Sequence, residues 1–136
     1  MRTHIRLYFV HEPCMLTLLL LLVSRYQTFF PEGPRKSDSL GRIVTTQATQ
    51  RIKSMVDNTK GTIVFGGETD VEERYVAPTL VKNVRADDPL MSQYVFPTNP
   101  VLSALMVLSY REIFGPVLLL ISVKDVDEAI KFINAR

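Results

Sequence analysis

The least ordinary pattern in the chain comes first. Residues 15–23 (Met15-Leu16-Thr17-Leu18-Leu19-Leu20-Leu21-Leu22-Val23) are almost unbroken in their apolar character. A membrane-spanning helix needs about 20 such residues, and Ser24-Arg25 ends this run at under half of that length. Leucine favours helix, so the run predicts a buried helix heading toward Phe29-Phe30 and stopped by Pro31. Its leucines cover every face instead of one stripe, which sets residues 1–23 apart from the rest as an apolar segment of doubtful origin. Residues 31–39 are turn-forming and polar and read as a loop. Ala48, Ile52, Met55, Val56 and Thr59 then recur at spacings of three and four, predicting an amphipathic helix over 46–58 with Asn58 and Gly61 as its stop.

Two β-prone runs follow. Thr62-Ile63-Val64-Phe65 is closed by Gly66-Gly67, and residues 74–81 form the second. Pro78 lacks a ladder donor, so the second strand should lie at an edge or be broken in two. Residues 116–123 are apolar on both faces, the pattern of a central strand covered on both sides. Asp125 stands three residues before Glu128, like the ends of a capping box, and Val126, Ala129, Ile130 and Ile133 mark one face of a last helix. The fold class is α/β, with too few elements for a closed doubly wound sheet.

Composition narrows the functions. The 136 residues suffice for one domain, and 46% apolar against 22% charged residues is a globular balance. Sixteen basic and 14 acidic residues are interleaved, with no basic stripe, so nucleic acid is not an expected partner. Membrane association is not expected either. The single cysteine, Cys14, excludes an internal disulfide framework and a Cys-rich zinc site, and makes the cytoplasm the default compartment. The leucine run has the length of a secretory h-region, but Glu12-Pro13 interrupts its approach and no small-x-small cleavage site follows. His4, His11 and Cys14 do not match a known metal-ligand spacing.

One segment is specific. Glu112-Ile113-Phe114-Gly115-Pro116-Val117 resembles a signature of the NAD(P)-dependent aldehyde dehydrogenase superfamily. Residues 74–81 are similar to the strand preceding that signature, Asp88-Pro89-Leu90-Met91 to the approach to it, and residues 127–134 to the helix that follows. Ser39-Leu40-Gly41-Arg42-Ile43-Val44 and the helix through Gln50-Arg51-Ile52-Lys53 look most like the fatty and class-three branch. The motifs occur in family order over about 24–92 and 112–136. The resemblance implies part of an aldehyde dehydrogenase catalytic domain, an incomplete sheet with flanking helices. It also implies chemistry in which a cysteine thiolate attacks an aldehyde, hydride passes to NAD or NADP, and water releases the acid. It assigns Glu112 to the nicotinamide-side ribose hydroxyls and Phe114 to packing beside that end of the cofactor. A carboxylate suits adjacent hydroxyls because its two oxygens can each accept a hydrogen bond.

Other family parts have no counterpart in this sequence. The family nucleophile lies in a Gly-Gln-x-Cys context and the general base in a Glu-Leu-Gly-Gly segment, and neither occurs here. Cys14 has no base or cation among its sequence neighbours to lower its pKa, and reads as a buried or incidental thiol. Gly66-Gly67 lacks the GxGxxG context of a phosphate-binding turn. No catalytic or metal-binding residue is assigned. The resemblance implies a portion that is inactive alone, interrupted by an insert at about 93–111 where the family has almost nothing. Gln93-Tyr94-Val95 and Tyr110-Arg111 can be encoded across splice donor and acceptor signals, which makes a retained intron the sharper explanation of the insert. Partners implied are an aldehyde in the intact family and a full-length relative, as a homo- or hetero-oligomer.

Overall fold

The computed structural model describes residues 6–94 and 115–135, with the backbone alone for 92–94. The insert expected at 93–111 therefore lies almost wholly outside the described residues, as do Glu112, Phe114 and His4. The chain opens on strand β1 (Arg6–His11) and helix α1 (Glu12–Phe29), passes a short 3-10 turn at Pro34–Lys36, and enters α2 (Thr46–Asp57). Strands β2 (Thr62–Phe65), β3 (Thr69–Asp70), β4 (Tyr75–Val76) and β5 (Thr79–Lys82) follow, then a 3-10 helix at Pro89–Tyr94, β6 (Val117–Val123) and α3 (Val126–Asn134).

The main sheet has the order β1-β6-β5-β2. β6 pairs in parallel with both β1 and β5, and β2 closes the far side antiparallel to β5. β6 is thus internal, as its two-faced apolar sequence requires. Along it, Val117, Leu119, Ile121 and Val123 point to the α2 side, where they join Ile52, Met55, Val56, Val81, Leu90 and Met91. Leu118 and Leu120 point the other way, to Val10, Leu80 and Leu19 of α1. Each fully buried side chain of this kind contributes about 1.5–3 kcal/mol.

Residues 74–81 are broken in two at Pro78, one of the two outcomes its missing N–H allows. β4 pairs with β3 in a separate ribbon, while β5 enters the main sheet. α2 matches its predicted span with one change at its end. Thr59 lies past the helix and turns its hydroxyl to Asp88 at 2.9 Å, while Thr49 takes a buried place by donating to the Thr45 carbonyl at 3.0 Å.

Two expectations about packing are corrected. α1 forms where expected and ends before Pro31, but only Leu19 is buried; Leu16 and Leu20 remain 68% and 65% exposed. A helix that covers one side of a four-stranded sheet buries one stripe whatever its other faces carry. α3 packs through Ala129 and Phe132, and Val126, Ile130 and Ile133 stay exposed. The edge-to-face contact of Phe132 with Phe9 of β1, at 5.5 Å between centroids, fixes that rotation. Residues 6–23, in the segment set apart by sequence, supply β1 and the first two thirds of α1. No helix among the described residues is long and apolar enough to cross a membrane.

Candidate cofactor-facing edge of the sheet

The parallel register brings the starts of β1, β5 and β6 to one edge. Arg6 is paired with Leu118, and Thr79 with Val117. Gly115 and Pro116 therefore lead into β6 at the end of the sheet where β1 and β5 also start. Glu112 and Phe114 lie outside the described residues, and the structure follows the signature from Gly115 onward.

What holds that segment in place is visible. The Pro116 carbonyl accepts from Thr79 N–H at 2.8 Å, and Val117 N–H donates to the Gly115 carbonyl at 2.9 Å. A Cβ on Gly115 would stand 2.9 Å from Cδ1 of Ile52, a fully buried residue of α2. The glycine lets the backbone lie directly on the helix.

Thr79 anchors the neighbouring turn as well. Its buried hydroxyl donates to the Ala77 carbonyl at 2.8 Å and accepts from Gly67 N–H at 2.9 Å. Gly66 and Gly67 have φ of 80° and 89°, and a Cβ on Gly66 would be 2.2 Å from the Pro78 carbonyl oxygen. Gly66 thus lies directly against Pro78 and Thr79, and the Gly-Gly turn is clamped to the start of β5.

Two polar centres escaped the sequence reading. Arg35 reaches Asp70 at 2.6 Å and Glu73 at 2.8 Å, tying the 3-10 turn to the β3–β4 ribbon. The Glu73 and Asp70 carboxylates raise the guanidinium pKa further, while the Glu73 N–H and Arg35 hold the Asp70 carboxyl below its ordinary value. Arg35 and Arg42 both lie over the Tyr75 ring, at 5.4 and 5.0 Å. Burial raises the Tyr75 phenol, whose hydroxyl has no partner among the described residues. No local spacing announces this cluster, because its members are about 35 residues apart in sequence. The second centre is Asp88, only 3% exposed, whose carboxylate accepts from Thr59 Oγ1 (2.9 Å), Lys60 N–H (2.7 Å) and Leu90 N–H (2.9 Å). Asp before Pro89 is a cap signal for the 3-10 helix and was readable as such. Cys14 is exposed on the first turn of α1, which leaves the incidental of its two readings and not the buried one. Among the described residues no three His, Cys, Asp or Glu side chains form a metal-binding group.

A three-stranded parallel core with one antiparallel edge strand and helices on both faces defines a segment of a doubly covered α/β sheet. The chain belongs to the aldehyde dehydrogenase family, whose sequence model matches residues 3–136. It is 34% identical over 119 residues to aldehyde dehydrogenase family 3 member B1 of Homo sapiens, covering 88% of this chain and 21% of that one. To 4,4'-diaponeurosporen-aldehyde dehydrogenase of Staphylococcus aureus it is 32% identical over 127 residues, covering 93% and 24%. The substrate-bound state of Staphylococcus aureus AldH superposes with a TM-score of 0.75 at 32% identity, over 96% of this chain and 24% of that one. The chain spans about a fifth to a quarter of the length of these relatives.

Proposed function

We propose that this chain is a portion of an aldehyde-oxidising, NAD(P)-dependent catalytic domain that retains one cofactor contact and no catalytic group. The reading is supported by the Glu112–Val117 signature in the sequence, whose described residues Gly115–Val117 lead into β6 at the end of the sheet where β1 also starts. In the intact fold the Glu112 carboxylate accepts hydrogen bonds from the nicotinamide-side ribose, and Phe114 packs beside it. A related solved structure, succinic semialdehyde dehydrogenase from Streptococcus pyogenes, is in complex with NADP+, which supports a nicotinamide cofactor as the ligand class.

The chain has no assigned nucleophile or general base, and aldehyde oxidation needs both held against an oriented cofactor. One ribose contact is too little to hold a dinucleotide tightly, so NAD and NADP should bind with dissociation constants above about 1 mM, weaker than about −4 kcal/mol. Saturation-transfer NMR with nicotinamide mononucleotide reads such a weak contact. Transfer to the ribose protons in the wild type, lost in Glu112→Gln, is expected; transfer unchanged by the substitution would remove Glu112 from the role.

A noncatalytic role is the second reading, favoured by the exposed Leu16 and Leu20 of α1 and Ile130 and Ile133 of α3. In that reading the chain associates with a full-length relative. Co-purification of the two supports it, and failure to associate counts against it.

A further inference from the structure

Residues 34–40 lie against the β3–β4 ribbon without burying a side chain; even Leu40, their one large aliphatic residue, stays partly exposed. Charge holds them there. Arg35 reaches Asp70 of β3 and Glu73 in the following turn, and its guanidinium lies over the ring of Tyr75 of β4 at 5.4 Å. Arg35 and Glu73 are about half exposed, so salt screens the latch. The backbone bonds of the segment stay within it, from Ser37 N–H to the Pro34 carbonyl and from Leu40 N–H to the Ser37 carbonyl. Both flanks are fixed. Phe30 N–H donates to the Tyr26 carbonyl at the end of α1, and Ile43, in the core, donates its N–H to the Arg74 carbonyl at 2.8 Å. Between the flanks and the segment stand Gly33, with φ of 86°, and Gly41, and a Cβ on either would meet nothing within 4 Å.

The latched state leaves one group unsatisfied. Tyr75 is 1% exposed, and its hydroxyl has no hydrogen-bond partner among the described residues. A buried hydroxyl without a partner is unfavourable, and water reaching it removes that penalty. The ion pairs and the stacked guanidinium favour the closed arrangement, while hydration of the phenol favours the open one. Few buried apolar contacts separate the two, which is the condition for local opening.

We propose that residues 34–40 are a charge-latched strap that swings off the β3–β4 ribbon as a unit, hinged at Gly33 and Gly41, and that ionic strength sets how often Tyr75 is uncovered. Arg42, next to the anchored Ile43, keeps its place over the ring when Arg35 leaves. The inference uses the latch alone and is independent of the cofactor reading.

Hydrogen exchange of the full 136-residue chain, read by mass spectrometry in low salt and in about 1 M sodium chloride, where the Debye length falls to about 3 Å, tests it. Exchange in residues 34–40 should be about tenfold faster in high salt, with the amides of β5 and β6 unchanged. Arg35→Gln should give the fast rate in low salt and abolish the salt dependence. Tyr75→Phe removes the unpaired hydroxyl and should slow exchange of the strap about threefold. Acetylation of Tyr75 by N-acetylimidazole, located by peptide mapping and referred to exposed Tyr8, should rise with salt in the wild type and not in Arg35→Gln. Exchange of the strap that ignores salt, or that occurs only together with β5 and β6, overturns the proposal. So does faster exchange in Tyr75→Phe, because the hydroxyl would then hold the strap closed.

Discussion

Single residues at the sheet edge carry sharply different burdens. Gly66 cannot accept a side chain, since its φ of 80° is left-handed and its Cβ position meets the Pro78 carbonyl at 2.2 Å. Gly66→Ala should destabilise the chain by about 2 kcal/mol or more, seen as a lower denaturation midpoint. Gly115→Ala comes too close only to the terminal methyl of Ile52, so about 1–2 kcal/mol is expected. Ile52→Val removes that methyl and should recover part of the loss, a coupling measurable in a double-mutant cycle. The cause of glycine was not legible at Gly115, because a close approach to a residue 63 positions away has no local sequence signal, and Gly66 was legible only as the close of a strand. Asp70 adds a pH dependence. Its folded pKa is depressed below the unfolded value of about 3.9. Its stabilisation is therefore present above that value and is lost as pH falls through the folded pKa. Thermal unfolding should show Asp70→Asn less stable than the wild type at neutral pH, with the gap closing in acid.

At the scale of elements, the strands and helices that bury a regular stripe were readable, and the way they pack was less so. α2 is found within a residue of its predicted end because Thr45 caps it, accepting from Ala48 N–H at 3.1 Å, and Asn58 terminates it. α3 begins as its Asp-x-x-Glu spacing predicts: Asp125 accepts from Glu128 N–H at 2.8 Å. The Glu128 carboxylate reaches back to Lys124 N–H at 2.7 Å, one residue before the cap. Asp125→Ala should cost about 1 kcal/mol, visible as faster hydrogen exchange in α3. The face of α3 that meets the sheet was read only in part: of Val126, Ala129, Ile130 and Ile133 only Ala129 packs on the core, and contact with Phe9 brings in Phe132 in place of the other three. Periodicity reports which residues share a face and not which face meets the sheet. For α1 the leucines on all sides left no stripe to read.

For the whole molecule, the family was legible because its motifs stand in order, and the match over residues 3–136 agrees. The shared edge of strand starts was not legible, since it follows from a parallel register between strands more than a hundred residues apart in sequence. The stretch 93–111 is tested at the level of the message: a spliced transcript that joins the codons on either side is expected if it is a retained intron, and a mature message that keeps it excludes that origin. Under the proposed function this chain, with no nucleophile or base assigned, does not oxidise aldehydes. The most direct measurement is aldehyde-dependent production of NADH or NADPH by the purified 136-residue chain. None above the uncatalysed background is expected, and production abolished by Cys14→Ser would contradict the account.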